Sequence, residues 1–109
     1  MPVTPLAKTT RRAPVDKVVQ HVAAEAAAHA SLAKAVRHLE AGEWQDAHAL
    51  VQKDATPTAC WAHGLVHLVE GDLENAKYWY RRAHRPLPHG NTVAAEIAAL
   101  KAAVRQGTQ

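Results

Sequence analysis

Residues 56–83 read TPTACWAHGLVHLVEGDLENAKYWYRRA, and this stretch decides the fold. It opens on a threonine and a proline, the residues preferred at the N-cap and at the first position of a helix. An apolar helix then runs to Gly71, where a glycine in the left-handed conformation can end it. Asp72 follows at once and can cap a second helix, because an acid complements the helix dipole at that end. The stretch therefore predicts two antiparallel helices joined by a tight turn, a helical hairpin.

The same turn occurs 29 residues earlier in the chain. HLEAGE at 38–43 aligns with HLVEGD at 67–72, and similarity at a fixed period is typical of helical repeats. The alignment pairs two further positions: Ala47 with Ala76, and Val51 with Tyr80. We therefore expect a first hairpin over about residues 28–54, with its second helix at about Trp44–Lys53.

Other helix ends follow from prolines, glycines and caps. The second hairpin should consist of a helix from Pro57 to about Glu70 and a helix from Asp72 to about His84, which the Pro86-Leu87-Pro88 segment stops. Gly90-Asn91-Thr92 opens a last helix that runs to about Arg105. Its apolar residues repeat at helical spacing, so we expect it to cap the open end of the stack.

The N-terminal segment has a different character. Residues 1–14 are basic and rich in threonine and proline, and they lack the apolar centre of a secretory signal, so we expect a disordered tail. A single helical domain should cover residues 15–106, with Asp16 capping its first helix. A first helix of ~26 residues would be long for so small a domain, which favours a break near His29–Ser31.

Composition supports an all-α fold and limits the function. The 109 residues are 48% hydrophobic but contain no phenylalanine, and alanine, the best helix former, dominates the apolar set. A net charge of +3 falls short of the concentrated basic surface of a nucleic-acid-binding protein. One cysteine, Cys60, excludes an intrachain disulfide and favours a reducing, cytoplasmic location. No apolar run has the ~18 residues of a membrane span.

The second hairpin resembles a tetratricopeptide repeat. The resemblance covers about Pro57 to Pro88, a third of the chain, and rests on six residues: Gly64, Gly71, Ala76, Tyr80, Ala83 and Pro88. Trp61 stands one position after the usual aromatic site, which Cys60 occupies, and the first copy keeps only Gly42 and Ala47 clearly. The resemblance implies stacked antiparallel hairpins whose first helices line a ligand-binding groove.

A narrower resemblance is to a family of small uncharacterised helical proteins with a His-x3-His…Glu-Gly-Asp…Asn-Ala-Lys-Tyr-Trp signature. The matching positions are Thr58, His63, His67, Glu70, Gly71, Asp72, Asn75, Ala76, Lys77, Tyr78, Trp79, Arg81 and Arg82. Leu68 and Val69 stand where that family often carries arginines. The resemblance implies a fold and points to residues, but it implies no activity.

Two histidines and a glutamate share one side of the first helix of the second hairpin. A helical wheel places His63, His67 and Glu70 opposite the packing face that Trp61, Leu65, Leu68 and Val69 would form. Three interpretations stay open: a solvated face, a face that binds a ligand or peptide, and a metal site. Histidines four apart can share a metal ion with a carboxylate, and His48 could supply a further nitrogen.

The last candidate is the basic helix KYWYRRAHR. Its buried stripe should include Trp79 and Tyr80, while Tyr78 can stack on Arg82 at its outer side. Lys77, Arg81 and Arg85 lie nearby, and the cluster is either an anion-binding patch or a solvated basic face. The sequence shows no paired carboxylates at an evident cleft and does not imply a Cys60–His63 dyad.

We therefore predict an all-α protein of stacked antiparallel helical hairpins with a C-terminal capping helix. Its predicted function is a non-enzymatic module that binds a protein, peptide or anionic ligand without a cofactor, and it could self-associate. The candidate ligand-binding residues are His63, His67, Glu70, Tyr78, Arg81 and Arg82. The alternative is a protein that binds a divalent transition metal through His63, His67 and Glu70, with His48.

Overall fold

The computed structural model describes residues 26–89 and 92–107, and these residues form five helices and no strands. The described part of α1 covers residues 26–40. The other four helices are α2 (Trp44–Val51), α3 (Pro57–Glu70), α4 (Leu73–Arg82) and α5 (Val93–Arg105). The predicted all-α fold is thus confirmed. The tail at 1–14, the Asp16 cap and the turn residues Gly90 and Asn91 lie outside the described residues.

Both predicted turns have the expected conformation. Gly42 and Gly71 have φ angles of +77° and +96°, a left-handed conformation that favours glycine. The amides of Glu43 and Asp72 each donate to the carbonyl of the histidine five residues earlier, at 2.8 Å in both turns. These bonds satisfy carbonyls that the helix end leaves free, so one backbone motif ends α1 and α3.

Helix starts are fixed by side chains in the second hairpin. The Thr56 hydroxyl accepts a hydrogen bond from the Ala59 amide at 3.3 Å, ahead of Pro57 at the first helical position. The Asp72 carboxylate accepts from the Asn75 amide at 3.2 Å and caps α4. Both caps were expected from the sequence. The expected break near His29–Ser31 is wrong: residues 26–40 form one helix, because this alanine-rich run contains no proline or glycine.

Helix α3 lies at the centre of the molecule and packs against α2, α4 and α5. Every residue from Thr58 to His67 is buried, so α3 presents core on nearly all sides. Gly64 allows the closest approach, because a Cβ built there would meet Cδ1 of Tyr80 at 2.5 Å. The largest fully buried side chains come from several helices: Tyr80, Leu32, Leu65, Leu100, Val51, Val66 and Cys60.

One carboxylate fastens the last helix to the hairpin before it. Oε1 of Glu96 on α5 accepts hydrogen bonds from Trp61 Nε1 at 3.0 Å and from the Tyr80 hydroxyl at 2.8 Å. Burial, together with this bond to Glu96, raises the pKa of Tyr80. Lys101 and Glu40 form an ion pair at 2.9 Å that joins α5 to α1. None of the described helices combines the length and apolarity needed to cross a membrane.

Candidate metal centre

Three imidazoles meet where α2 packs on α3. His48 comes from α2, and His63 and His67 lie one turn apart on α3; we call them the three-histidine cluster. The ring centroids are 4.7 Å apart for His48 and His63, 5.4 Å for His48 and His67, and 5.0 Å for His63 and His67. One nitrogen of each ring lies within 4.8 Å of the other two. A second helix thus brings a third imidazole to the histidine pair.

Two of the three imidazoles are buried, and the third, that of His48, is half-buried. His63 is 4% exposed and His67 is 8% exposed, so the solvated-face interpretation is wrong for both residues. The helical wheel placed them opposite the packing face, but α3 packs against helices on more than one side. Their side is therefore covered by α2 and α4. Glu70, one turn further along, stays exposed at the rim.

Glu70 fixes the orientation of His67. Its Oε1 lies 2.7 Å from His67 Nδ1. With Glu70 ionised, Nδ1 carries the proton and donates it, which leaves the lone pair on Nε2. A carboxylate in this position is the usual partner of a metal-binding histidine, because it sets the tautomer and raises the basicity of the other nitrogen.

The ring of His63 packs against the ring of Trp79 on α4. The two rings are stacked, with centroids 3.8 Å apart and planes within 9°. Its Nδ1 has no hydrogen-bond partner, and it is the one such buried side-chain atom in the described chain. Burial, together with smaller contributions from the neighbouring His48 and His67, lowers the pKa of His63 to about 4. The His63 ring is therefore neutral at pH 7, the form that binds a metal.

The arrangement fits a transition-metal ion after a small movement of the rings. Nitrogens about 2.0–2.1 Å from a tetrahedral zinc ion lie about 3.4 Å apart, so the rings would close by at most about 1.4 Å. An ion bound through Nδ1 of His63 would also give a partner to a buried polar atom that has none, a costly feature that native proteins rarely retain without a reason. Three protein ligands would leave one position of a tetrahedral ion open.

Two other groups of potential ligands occur among the described residues. His38 lies with Glu43 and Asp46, and His67 lies with Glu70 and Asp72. Each offers a single imidazole with two carboxylates, and the second group shares His67 with the three-histidine cluster. Asp72 is also occupied, since its two oxygens accept from the Asn75 amide and side chain and thereby lower the pKa of Asp72. The three-histidine cluster is the most buried of these groups and the one that is rich in nitrogen.

The six predicted ligand-binding residues do not form one site. His63, His67 and Glu70 belong to the cluster. Arg82 donates to the Tyr78 hydroxyl at 3.1 Å, a bond that raises the pKa of Arg82, and its guanidinium lies 5.3 Å from the centre of Trp79. Arg81 points elsewhere, into a separate cleft described below. The predicted interaction module stays a prediction.

The stacked pair of His63 and Trp79 was not predicted, although the sequence contained a signal for it. Each residue is eight positions from Gly71, and residues equidistant from the turn of an antiparallel hairpin face each other. Trp61, by contrast, is buried, as its place on the packing face predicted. Cys60 is also buried, and its Sγ lies 3.7 Å from the carbonyl oxygen of Ala55.

Comparison of the chain with protein-family models, curated proteins and solved structures found no significant match.

Proposed function

We propose that this protein binds a divalent transition-metal ion through His48, His63 and His67. The observation that carries the proposal is the convergence of three imidazoles from two helices, with one nitrogen of each within 4.8 Å of the others. The buried Nδ1 of His63 and the bond from His67 to Glu70 support it independently.

The donor set selects the class of metal. Imidazole nitrogen suits zinc, copper, nickel and iron, whereas magnesium and calcium prefer oxygen ligands. With three neutral imidazoles and no carboxylate in the innermost set, the bound ion keeps its full positive charge. A water molecule or an anion would complete the coordination.

Binding would also join the two hairpins. His48 belongs to the first hairpin, and His63 and His67 belong to the second, so an ion held by all three crosses the α2–α3 interface. A ligand that binds only the folded state stabilises it, by about 2.7 kcal/mol when its free concentration is 100 times its dissociation constant. We therefore expect metal binding to raise the melting temperature.

Calorimetric titration of tag-free protein, stripped of metal with a chelator, tests the proposal. Zinc, nickel and copper(II) should each bind at one ion per chain, and nickel and copper should quench the fluorescence of Trp79 because its ring stacks on His63. A Trp79→Phe variant identifies that part of the signal.

Substitutions then assign the ligands. His48→Ala and the double variant His63→Ala/His67→Ala should abolish tight binding. His38→Ala is the matched control, because it removes a half-exposed imidazole outside the cluster, and it should bind like the wild type. Binding that survives loss of His48 and fails with His38→Ala would overturn the proposal.

A further inference from the structure

A second, separate cleft lies between α4 and the chain that follows it. Its volume is about 330 Å³, and it is lined by Lys77, Tyr80, Arg81, Arg85 and Leu87. Three of these five residues are cationic. This cleft shares no residue with the three-histidine cluster.

The fold places the three cations on one side. Lys77 and Arg81 are one turn apart on α4, so their side chains share a face of the helix. The chain then turns at His84, whose φ of 59° is unusual for a residue other than glycine. The turn is closed by a hydrogen bond from the Arg85 amide to the Tyr80 carbonyl at 3.0 Å. It thus returns Arg85 towards the helix it has just left.

Arg85 is held in place by an aromatic ring. Its guanidinium carbon lies 3.5 Å from the centre of the Trp61 ring, a close cation–π contact. The stacked guanidinium keeps its in-plane N–H groups available for a ligand, because stacking uses only its face. Arg85 is therefore ordered before any ligand arrives, which reduces the entropy lost on binding.

The positive charge of the cleft is only weakly compensated. Within the described chain no carboxylate lines it, and Arg81 forms no ion pair. Lys77 lies 3.4 Å from Glu74, but that carboxylate is on a side chain 85% exposed, where an ion pair contributes little. The nearby Glu96 already accepts bonds from Trp61 and Tyr80.

We propose that this cleft binds a phosphate group, carried either by the free ion or by a small phosphate monoester. Two guanidinium forks and an ammonium group match the charge and the several acceptor oxygens of phosphate. Tyr80 and Leu87 supply an apolar wall for the organic part of an ester. The proposal concerns residues outside the metal centre, so it stands or fails independently of the proposed function.

Titration of the chelator-treated protein with inorganic phosphate, and in parallel with glycerol phosphate, tests this site. Sodium chloride holds the ionic strength constant, and NMR follows the indole N–H of Trp61, assigned with Trp61→Phe. We expect saturable shifts of that signal with at least one of the two probes. Saturation by inorganic phosphate identifies the free ion as a ligand, and saturation by glycerol phosphate alone identifies an ester.

Variants separate binding from general charge. Arg81→Gln should weaken phosphate binding at least tenfold, and so should Arg85→Lys, which keeps the charge but loses the planar fork. Arg105→Gln removes the same charge from the end of α5 and should leave binding unchanged. Shifts that do not saturate, or equal effects of Arg81→Gln and Arg105→Gln, would overturn the proposal: the cations would then serve only to complement the dipole of α4.

Discussion

The two hairpins end their first helices with the same turn but differ in what surrounds it. His38 and His67 occupy equivalent positions, and the carbonyl of each accepts the same bond at 2.8 Å. The His38 side chain is 35% exposed and lies 2.8 Å from Glu43, whereas the His67 side chain is 11% exposed and lies among imidazoles. The two similar turn sequences thus adopt the same backbone conformation, and the neighbouring helices decide what surrounds each histidine.

Equivalent positions of the two hairpins contribute one residue to each candidate site. His48 on α2 corresponds, at an offset of 29, to Lys77 on α4. His48 faces α3 and contributes to the three-histidine cluster, whereas Lys77 lines the basic cleft. Under the two proposals, equivalent positions of the hairpins would contribute a metal ligand in the first hairpin and an anion-binding cation in the second.

The largest expected difference between the two copies is in pH dependence. The pKa of His63 is about 4 in the folded protein and 6.5 in the unfolded chain, so the unfolded chain binds the proton first as the pH falls. The free energy of unfolding is therefore unaffected by protonation of this residue above pH 6.5 and decreases as the pH falls from 6.5 to 4. The total decrease is at most about 3 kcal/mol.

Urea unfolding of chelator-treated protein between pH 7 and 4 measures this effect. The free energy of unfolding of the wild type should fall more steeply than that of His63→Gln. His38→Gln, which changes the exposed turn of the first hairpin, is the control and should follow the wild type. Parallel curves for the wild type and His63→Gln would contradict the assignment.

A second difference concerns how closely the helices of each hairpin approach. The first hairpin carries Ala35 and Val51 where the second carries Gly64 and Tyr80, and all four residues are buried. Gly64→Ala would place a methyl group against Tyr80 and should lower the free energy of unfolding by about 2 kcal/mol.

The double variant Gly64→Ala/Tyr80→Val copies the Ala/Val pair of the first hairpin. Measured against Tyr80→Val alone, the alanine should no longer destabilise, and its higher helix propensity could add up to about 1 kcal/mol. Chemical denaturation of the four proteins in this cycle gives the coupling. An alanine cost that is independent of residue 80 would show that the close approach is not the cause.

The sequence predicted the hairpins well because their signals are local. Glycine in the left-handed conformation, Thr56 before proline and Asp72 as a cap act within a few residues, and the helix bounds followed. The burial of His63 and His67 could not be predicted in this way. A helical wheel describes one helix, and the number of neighbours that pack on α3 is decided by residues far away in sequence.

The carboxylates beside the two turns, Glu70 and Glu43, should differ in their effect on zinc binding, and this difference is smaller. Glu70→Gln removes the charge that orients His67, and loss of such a partner typically weakens metal binding by 10–100-fold, so we expect about a tenfold increase in the dissociation constant for zinc. Glu43→Gln makes the matching change beside His38 and should leave the dissociation constant for zinc unchanged. Equal zinc affinities of both variants by calorimetry would separate Glu70 from the metal centre.

The smallest expected difference is in the caps of the second helices. Asp72 accepts a bond from the amide of Asn75, but Glu43 makes no such bond to α2. Asp72→Ala should therefore cost about 1 kcal/mol, a typical value for an N-cap, and Glu43→Ala should cost less. Thermal unfolding of both variants at pH 7 measures this, and a larger loss for Glu43→Ala would contradict it.

X-ray absorption at the zinc edge, on protein loaded with one equivalent of zinc, tests the central claim most directly. Three imidazoles at about 2.0–2.1 Å are expected, and His48→Ala should lose one of them. The two other groups of potential ligands each contain one imidazole and two carboxylates. A spectrum with a single imidazole that does not change in His48→Ala would place the metal at one of those groups and contradict the three-histidine centre.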